Sequence, residues 1–294
     1  MKSKNIARLI FLVLGLTFAS VSLAKSPVFK VSKGDDHVFI GGTIHLLSEN
    51  DYPLPSAFYK AFETADHVYF ETDTGQVSSP EVQVKMARVM GLPEEQTLET
   101  LLNEETYARF QAYLNERQLP ISTFQKITPS AVSIALTVFE LQRLNLGDPA
   151  NGVDQFFISK ANEAGKKLFY LESLEEQIGF LDTLNDIDPN VVFNSNLDDL
   201  SNLGENWEKA LSAWREGNIE VMGDILGGEK LRTEFPEVHK ILLTDRNNRW
   251  LTQIKTMLDT KEVELILVGA LHLANDEGLI EQLRKGGYGV EQLD

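Results

Sequence analysis

The 294-residue sequence contains no cysteine, which excludes disulfide bonds and thiolate metal sites. The stability of the fold must therefore come from its packed core. A metal site, if there is one, must be built from histidine and carboxylate side chains, which suit divalent first-row ions. The sequence also lacks a Gly-x-Ser-x-Gly nucleophile motif, a His-Glu-x-x-His zinc motif and a P-loop, so these three kinds of active site are excluded.

Basic residues are scarce. The chain has 27 Lys and Arg against 44 Asp and Glu, a net charge of −17. Residues 1–24 hold three basic residues and no acidic one, so the remainder carries −17 − 3 = −20. A surface of this sign repels phosphate backbones and anionic lipid, and we expect neither nucleic acid nor a membrane surface as partner.

Residues 1–24 have the pattern of a secretory signal peptide. Three basic residues precede the apolar residues 9–21, and small residues end the segment at Ala24. The apolar run is shorter than the roughly 20 residues that a membrane-spanning helix needs, which favours cleavage after Ala24 over retention as an anchor. The prediction is a periplasmic or secreted protein without stable membrane insertion, and its oligomeric state stays open.

Residues 25–294 are predicted to form a single α/β domain. Runs of β-branched and aromatic residues predict strands at 28–33, 37–42, 67–71, 167–171, 263–268 and 288–292. Helical periodicity predicts helices at 55–65, 152–164, 174–185, 237–259 and 276–285, and mostly helical segments at 81–145 and 189–235. This order indicates a mixed β-sheet with flanking helices, and a helical insertion, roughly 81–150 and 189–240, that we expect to cap the sheet.

Four of the predicted strands deliver a polar residue that could carry chemistry, at their carboxyl ends or within four residues after them: His45, Glu71, Glu172 and His272. Ligands of open α/β sheets bind outside the carboxyl ends of the strands, so these side chains are the candidate site. Two imidazoles and one or two carboxylates can hold a divalent metal ion, and a second carboxylate can act as a general base. The alternative is that each histidine only caps its strand and bonds to backbone.

Both histidines follow their strand in the pattern Gly-x-x-His, with glycine at positions 42 and 269. Because glycine lacks a Cβ, it allows the backbone to bend or a ligand to come close. Two histidines in matched contexts favour a functional interpretation more than either would alone.

The predicted helix at 237–259 contains Arg246, Asn247, Arg249 and Trp250. One interpretation is a salt-bridged helix that packs through its tryptophan. The other is that Arg246 and Asn247 point into the site and orient substrate carbonyls or the glutamates. The sequence does not favour either.

Together these residues resemble the TraB/GumN/TIKI family. The match runs from about Val28 to the C-terminus, and its motifs are Gly42-Thr43-Ile44-His45, the strand ending at Glu71, Gly152-Val153-Asp154, Leu171-Glu172 with Glu176-Gln177, Arg246-Asn247 with Trp250, and Gly269-Ala270-Leu271-His272. The resemblance implies a fold related to the erythromycin-esterase and ChaN-like group. It also implies metal-dependent proteolysis, with His45, His272 and Glu71 as ligands of manganese or cobalt rather than zinc.

Three functions follow as hypotheses. The first is an exported metal-dependent hydrolase, a peptidase acting on a peptide or protein substrate, in which Glu71, Glu172, Arg246 and Asn247 take part in catalysis. The second is a non-catalytic periplasmic protein that binds a metal ion or haem with the same histidines. The third, ranked last, is a metal-free glycosidase that uses Glu71 and Glu172 as an acid/base pair.

Overall fold

The computed structural model describes residues 25–294, and the predicted signal peptide lies outside them. Within these residues, no helix combines the length and the apolar character needed to cross a membrane. Six strands form one sheet in the order β4-β3-β5-β2-β1-β6. Their bounds are β1 Val28–Lys33, β2 Asp36–Thr43, β3 His67–Phe70, β4 Lys167–Tyr170, β5 Glu264–Gly269 and β6 Gly289–Gln292.

The sheet is mixed, as predicted. Strands β4, β3, β5 and β2 are mutually parallel, whereas β1 runs antiparallel to β2 and to β6. The central strand β5 reads Glu-Leu-Ile-Leu-Val-Gly and is buried along almost its whole length, as expected for a parallel strand covered on both faces. The carboxyl ends of the four parallel strands therefore meet at one edge of the sheet.

Fourteen α-helices occur in the described residues. They are α1 Ser56–Thr64, α2 Pro80–Met90, α3 Leu98–Leu101, α4 Glu104–Glu116, α5 Pro129–Arg143, α6 Val153–Ala164, α7 Leu174–Thr183, α8 Pro189–Ser201, α9 Leu203–Arg215, α10 Ile219–Ile225, α11 Gly228–Glu234, α12 Pro236–His239, α13 Asp245–Met257 and α14 Leu279–Lys285. The predicted α/β class is thus confirmed.

The predicted helix at 237–259 is helical over nearly this extent, but it is not a uniform α-helix. A π-helical turn, Lys240–Thr244, lies between α12 and α13. Turns of this kind are rare and occur frequently at functional sites. The residues directly after the turn are the ones that reach the candidate site.

Two hydrophobic cores hold the described residues together. The larger lies between the sheet and its helices, where Phe58 packs against Phe157 and Trp214. The indole nitrogen of Trp214 donates to the carbonyl of Gly42 at 2.8 Å and so ties α9 to the end of β2. The smaller core is formed by α3, α4, α5 and α8 around Phe110 and Phe193. Helices from both parts of the predicted insertion share it.

Glu264 at the start of β5 is the basis of a test of the fold. It is buried, and one of its carboxyl oxygens has no hydrogen-bond partner among the described residues. Burial raises the pKa of this carboxyl to about 7, from an ordinary value of 4.5. Between pH 4.5 and 7, Glu264 keeps a proton in the folded protein that it releases in the unfolded chain. The free energy of unfolding therefore decreases as the pH rises through this range.

We expect Glu264→Gln to be more stable than wild type above pH 7, and this advantage to shrink steadily as the pH falls towards 4.5. Denaturant unfolding across this range measures the difference, with Glu163→Gln on the exposed face of α6 as control. A difference that does not change with pH would contradict the assignment.

Candidate functional site

The four strand-end residues lie along one edge of the sheet in the order of their strands. Glu172 follows β4 and Glu71 follows β3, while His272 ends a short 3-10 turn after β5. His45 lies two residues beyond β2. Since these strands are neighbours in the order β4-β3-β5-β2, the topology brings together the residues that the sequence separates.

Arg246, near the start of α13, connects three of these strand ends. Its guanidinium donates to the carboxylates of Glu71 and Glu172. Nη2 donates to Oε2 of Glu71 and also to Oε1 of Glu172, which lies 2.6 Å away. Nη1 donates to Nε2 of His272 at 3.1 Å and to the carbonyl of Leu242 at 3.1 Å. The side chain of Arg246 is 9% exposed, so this network is largely shielded from water. Of the two interpretations of Arg246, the structure supports the one in which it points into the site.

Asn247 fixes the orientation and the tautomer of His272. Its side-chain nitrogen donates to the carbonyl groups of His272 and Glu277, at 3.2 and 3.0 Å. Its Oδ1 therefore accepts from Nδ1 of His272, at 2.7 Å. The proton of the neutral ring is thus on Nδ1. The lone pair of Nε2 accepts the hydrogen bond from Nη1 of Arg246, and Oε1 of Glu71 lies 3.8 Å from the same nitrogen. Burial lowers the pKa of His272 to about 3, so the ring is neutral at physiological pH.

His45 is held by a different residue, Asp154, in the first turn of α6. Nδ1 of His45 donates to Oδ2 of Asp154 at 2.7 Å, and the hydroxyl of Thr43 donates to the other carboxylate oxygen at 3.0 Å. The carboxylate of Asp154 raises the pKa of His45 above its usual value. More than half of the His45 ring is exposed, so it can meet a ligand from solvent.

The two Gly-x-x-His glycines serve different purposes. A Cβ on Gly42 would lie 2.9 Å from Leu273 and 3.1 Å from the Cβ of Ala270, so this glycine permits close packing. A Cβ on Gly269 would lie 3.2 Å from Oε1 of Glu71, 3.4 Å from Nε2 of His45 and 3.7 Å from Cδ2 of His272. The polar atoms of the site therefore converge on the space that Gly269 leaves open.

The two glutamates differ in charge state and in access. Burial acts to raise the pKa of Glu71, but His272, Arg246, His45 and the amide of Gly269 outweigh it and lower that pKa to about 2. Burial dominates at Glu172 and raises its pKa. The side chain of Glu172 is 1% exposed and lies behind the guanidinium of Arg246. Glu172 can therefore position Arg246.

Comparison with known proteins identifies the family of this chain. The model of the TraB/PrgY/gumN family matches residues 27–292. The chain belongs to this family. Similar proteins include two described as "Uncharacterized protein YbaP", one from Escherichia coli strain K12 and one from Shigella flexneri. Each is 25% identical over 257 residues, which cover 85% of this chain and 89% of the relative. No solved structure matches the chain.

The donor types at this TraB/PrgY/gumN site fit a divalent first-row ion. Each imidazole has its Nδ1 held by an acceptor, Asp154 or Asn247, as metal-binding histidines commonly do, which leaves Nε2 for an ion. The arrangement is not a preformed cage, because no group of three His, Asp or Glu side chains within residues 25–294 is placed to hold a metal. Arg246 lies among the donors and already bonds to His272 and Glu71.

Sequence reasoning did not identify Asp154 and Gln177 as site residues. Asp154 holds His45, and the side-chain nitrogen of Gln177 donates to Oε2 of Glu71 at 3.1 Å. Both residues come from helices that lie next to the strand ends, and both lie in the motifs on which the family resemblance rests. The signal in the sequence was Gly152, two residues before Asp154. A Cβ at this position would lie 2.3 Å from the carbonyl oxygen of His45, so glycine is required where the chain passes close to His45.

The pair formed by His45 and Asp154 makes a testable prediction. The pKa of His45 is raised in the folded state, so the pair stabilises the fold fully below the ordinary value of about 6.5. That stability is lost as the pH rises through the higher folded value. We expect Asp154→Asn to lower the pKa of His45 towards the ordinary value and to cost about 1 kcal/mol at low pH.

Titration of the His45 ring nitrogens by NMR, in the presence of chelator, measures the first effect. Denaturant unfolding measures the second. The exposed Asp224→Asn in α10 is the control. The same pKa of His45 in wild type and Asp154→Asn would show that the carboxylate does not set it.

Proposed function

We propose that this protein is an exported, metal-dependent hydrolase that cleaves peptide bonds. One observation carries the proposal: Nε2 of His45, Oε1 of Glu71 and the ring of His272 converge beside Gly269, while Asp154 and Asn247 hold the Nδ1 atoms of the two rings. Rings oriented in this way are typical of metal ligands. The family resemblance, which implies manganese or cobalt, points in the same direction.

In this proposal, His45, His272 and Glu71 hold the ion. A divalent ion at this place would polarise a substrate carbonyl and lower the pKa of water. The low pKa of Glu71 keeps its carboxylate ionised at physiological pH, which suits a ligand better than an acid. Asn247 keeps Nε2 of His272 unprotonated, and Asp154 aims the ring of His45.

Arg246 is the residue that must respond when the ion binds. Nε2 of His272 can become a ligand only if Nη1 of Arg246 gives up its hydrogen bond to that atom. The guanidinium would keep its bonds to Glu172 through Nε and Nη2, and Nη1 would keep the carbonyl of Leu242. Glu172 and Arg246 thus act as positioning residues in this proposal.

A non-catalytic metal-binding protein is the second candidate. The observation that favours it is that the carboxylates of Glu71 and Glu172 are already engaged by other residues of the protein. Glu172 is buried behind Arg246, and both oxygens of Glu71 already accept hydrogen bonds, from Gly269, Gln177 and Arg246. With neither carboxylate free to move a proton, the site could bind an ion without turning over a substrate.

Metal titration separates these possibilities. The purified protein, stripped with chelator, is titrated with manganese, cobalt and zinc by calorimetry, and each form is tested on a peptide library. We expect tight binding to wild type, binding weakened by more than ~100-fold in His45→Ala, and turnover only in the metal-loaded protein. His37→Ala, at the opposite end of β2, should behave as wild type.

Each contrary result has one meaning. Turnover that survives both chelation and His45→Ala would overturn the metal-dependent hydrolase. Tight metal binding with no turnover of any peptide would replace it with the second candidate.

Gly269 provides a second test of the site. Its φ is −50°, so alanine is acceptable to the backbone, but the added methyl would enter the space shared by Glu71 and His45. We expect Gly269→Ala to weaken metal binding by ~10- to 100-fold, because displaced ligands bind poorly, while its stability changes by only about 1 kcal/mol. Calorimetry and thermal unfolding measure the two effects.

Gly179→Ala in α7 is the matched control, since nothing lies within 4 Å of its Cβ position. It should bind metal as wild type does and gain up to about 1 kcal/mol of stability from helix propensity. Undiminished metal binding in Gly269→Ala would show that the ion does not lie beside Gly269.

A further inference from the structure

An apolar cavity opens directly beside the reactive groups. We propose that it is a specificity pocket, which accepts one large uncharged side chain of an extended peptide, such as leucine, methionine or phenylalanine, next to the bond that is cleaved. The peptide nature of the ligand rests on the proposed function, in which the protein cleaves peptide bonds. The pocket itself rests on its lining, its volume and its position.

The lining is apolar away from the mouth. Its wall is formed by Trp207, Met222, Leu226, Leu231, Leu242 and Leu243, which come from the region of α9, α10, α11 and the π-helical turn. Charged and polar groups occur only where the cavity meets the strand ends and Arg246. Glu71 and Arg246 are already bonded to each other, so a charged substrate side chain would find no partner deeper in the pocket. Burying such a charge is costly, which restricts the occupant to an uncharged group.

The volume of the cavity matches a single large side chain. It measures about 310 Å³. An apolar cavity of about 150 Å³ suffices to bind benzene, so this one has room for a phenyl or isobutyl group together with part of the adjoining backbone. It is close to the lower limit of ligand sites in proteins, about 300 Å³.

A second cavity shows how the rest of a peptide could lie. It measures about 280 Å³ and shares His45 and Glu71 with the first, so the two meet at the proposed point of cleavage. Its lining includes Thr72 and Gln155. Thr72 is 3% exposed, and its hydroxyl has no hydrogen-bond partner among the described residues. A buried hydroxyl of this kind is available to a backbone N–H or C=O group of a bound chain.

The two cavities together favour an extended peptide over a simple fatty acyl chain. An acyl chain would need only the apolar cavity. A peptide uses both, with one apolar side chain on one side of His45 and Glu71 and hydrogen-bonding backbone on the other. The identity of that single side chain should therefore control the rate.

The experiment uses the peptides acetyl-Ala-Ala-Xaa-Ala-Ala-amide, with leucine, phenylalanine, tryptophan, alanine or aspartate as Xaa. Mass spectrometry gives kcat/KM with metal-loaded protein, and calorimetry gives binding of the same peptides to purified protein carrying His45→Ala. We expect leucine and phenylalanine to exceed alanine by ~10- to 100-fold in kcat/KM, since burial of the additional carbon atoms is the source of the preference. Aspartate should be the poorest.

Two substitutions at the half-buried Leu231 probe the pocket in opposite directions. Leu231→Trp fills it and should reduce cleavage of the leucine and phenylalanine peptides by ~10-fold or more, while the alanine peptide changes little. Leu231→Ala enlarges it and should shift the preference towards a tryptophan peptide. Val221→Trp, on the exposed face of α10, is the matched control and should leave all rates unchanged.

The outcomes separate the pocket from the proposed function. Cleavage without preference at Xaa, or a preference that both Leu231 variants retain, overturns the pocket and leaves the peptidase. Binding of leucine and phenylalanine peptides that Leu231→Trp abolishes, without cleavage of any peptide, supports the pocket and overturns the peptidase. Turnover of p-nitrophenyl octanoate with no binding of any peptide overturns the peptide as occupant and identifies an acyl site.

Discussion

The buried guanidinium of Arg246 is the interaction on which the site depends. It bonds to Glu71 and Glu172 and to Nε2 of His272, so one side chain joins the ends of β3, β4 and the turn after β5. Two carboxylates side by side would repel each other strongly in a buried place, and the positive charge makes their proximity possible. Loss of one member of such a network typically costs about 3–5 kcal/mol, because it leaves a buried charge without a partner.

The two histidines of the matched motifs reach the same place in different electrostatic states. His272 is buried, neutral and held by an amide, whereas His45 is largely exposed and held by a carboxylate that favours its protonated form. The difference arises from where each histidine lies: in a turn beneath α13 in one case and at the open edge near α6 in the other. The site therefore has one fixed, shielded wall and one wall in contact with solvent.

The sequence was sufficient to predict the mixed sheet and the four strand-end residues, because each of them lies just after an apolar run long enough to form a strand. It could not decide whether Arg246 points inwards, since a helix bearing Arg246 and Trp250 has the same periodicity in either orientation. Nor did it indicate that Asp154 would meet His45, which lies 109 positions earlier in the chain. Long-range pairings of this kind depend on how helices are placed on the sheet, which local patterns do not report.

The π-helical turn at Lys240–Thr244 determines where this part of the chain can lose a residue without disturbing the site. A π-helical turn holds one residue more than an α-helical turn, so the loss of a single residue there could be absorbed by conversion to ordinary α-helix. The loss of one residue between Arg246 and Trp250 could not be absorbed in this way, because it would rotate everything beyond it by about 100° and turn the indole away from the imidazole of His272. The deletion of one residue should therefore be tolerated within Lys240–Thr244 and excluded between Arg246 and Trp250.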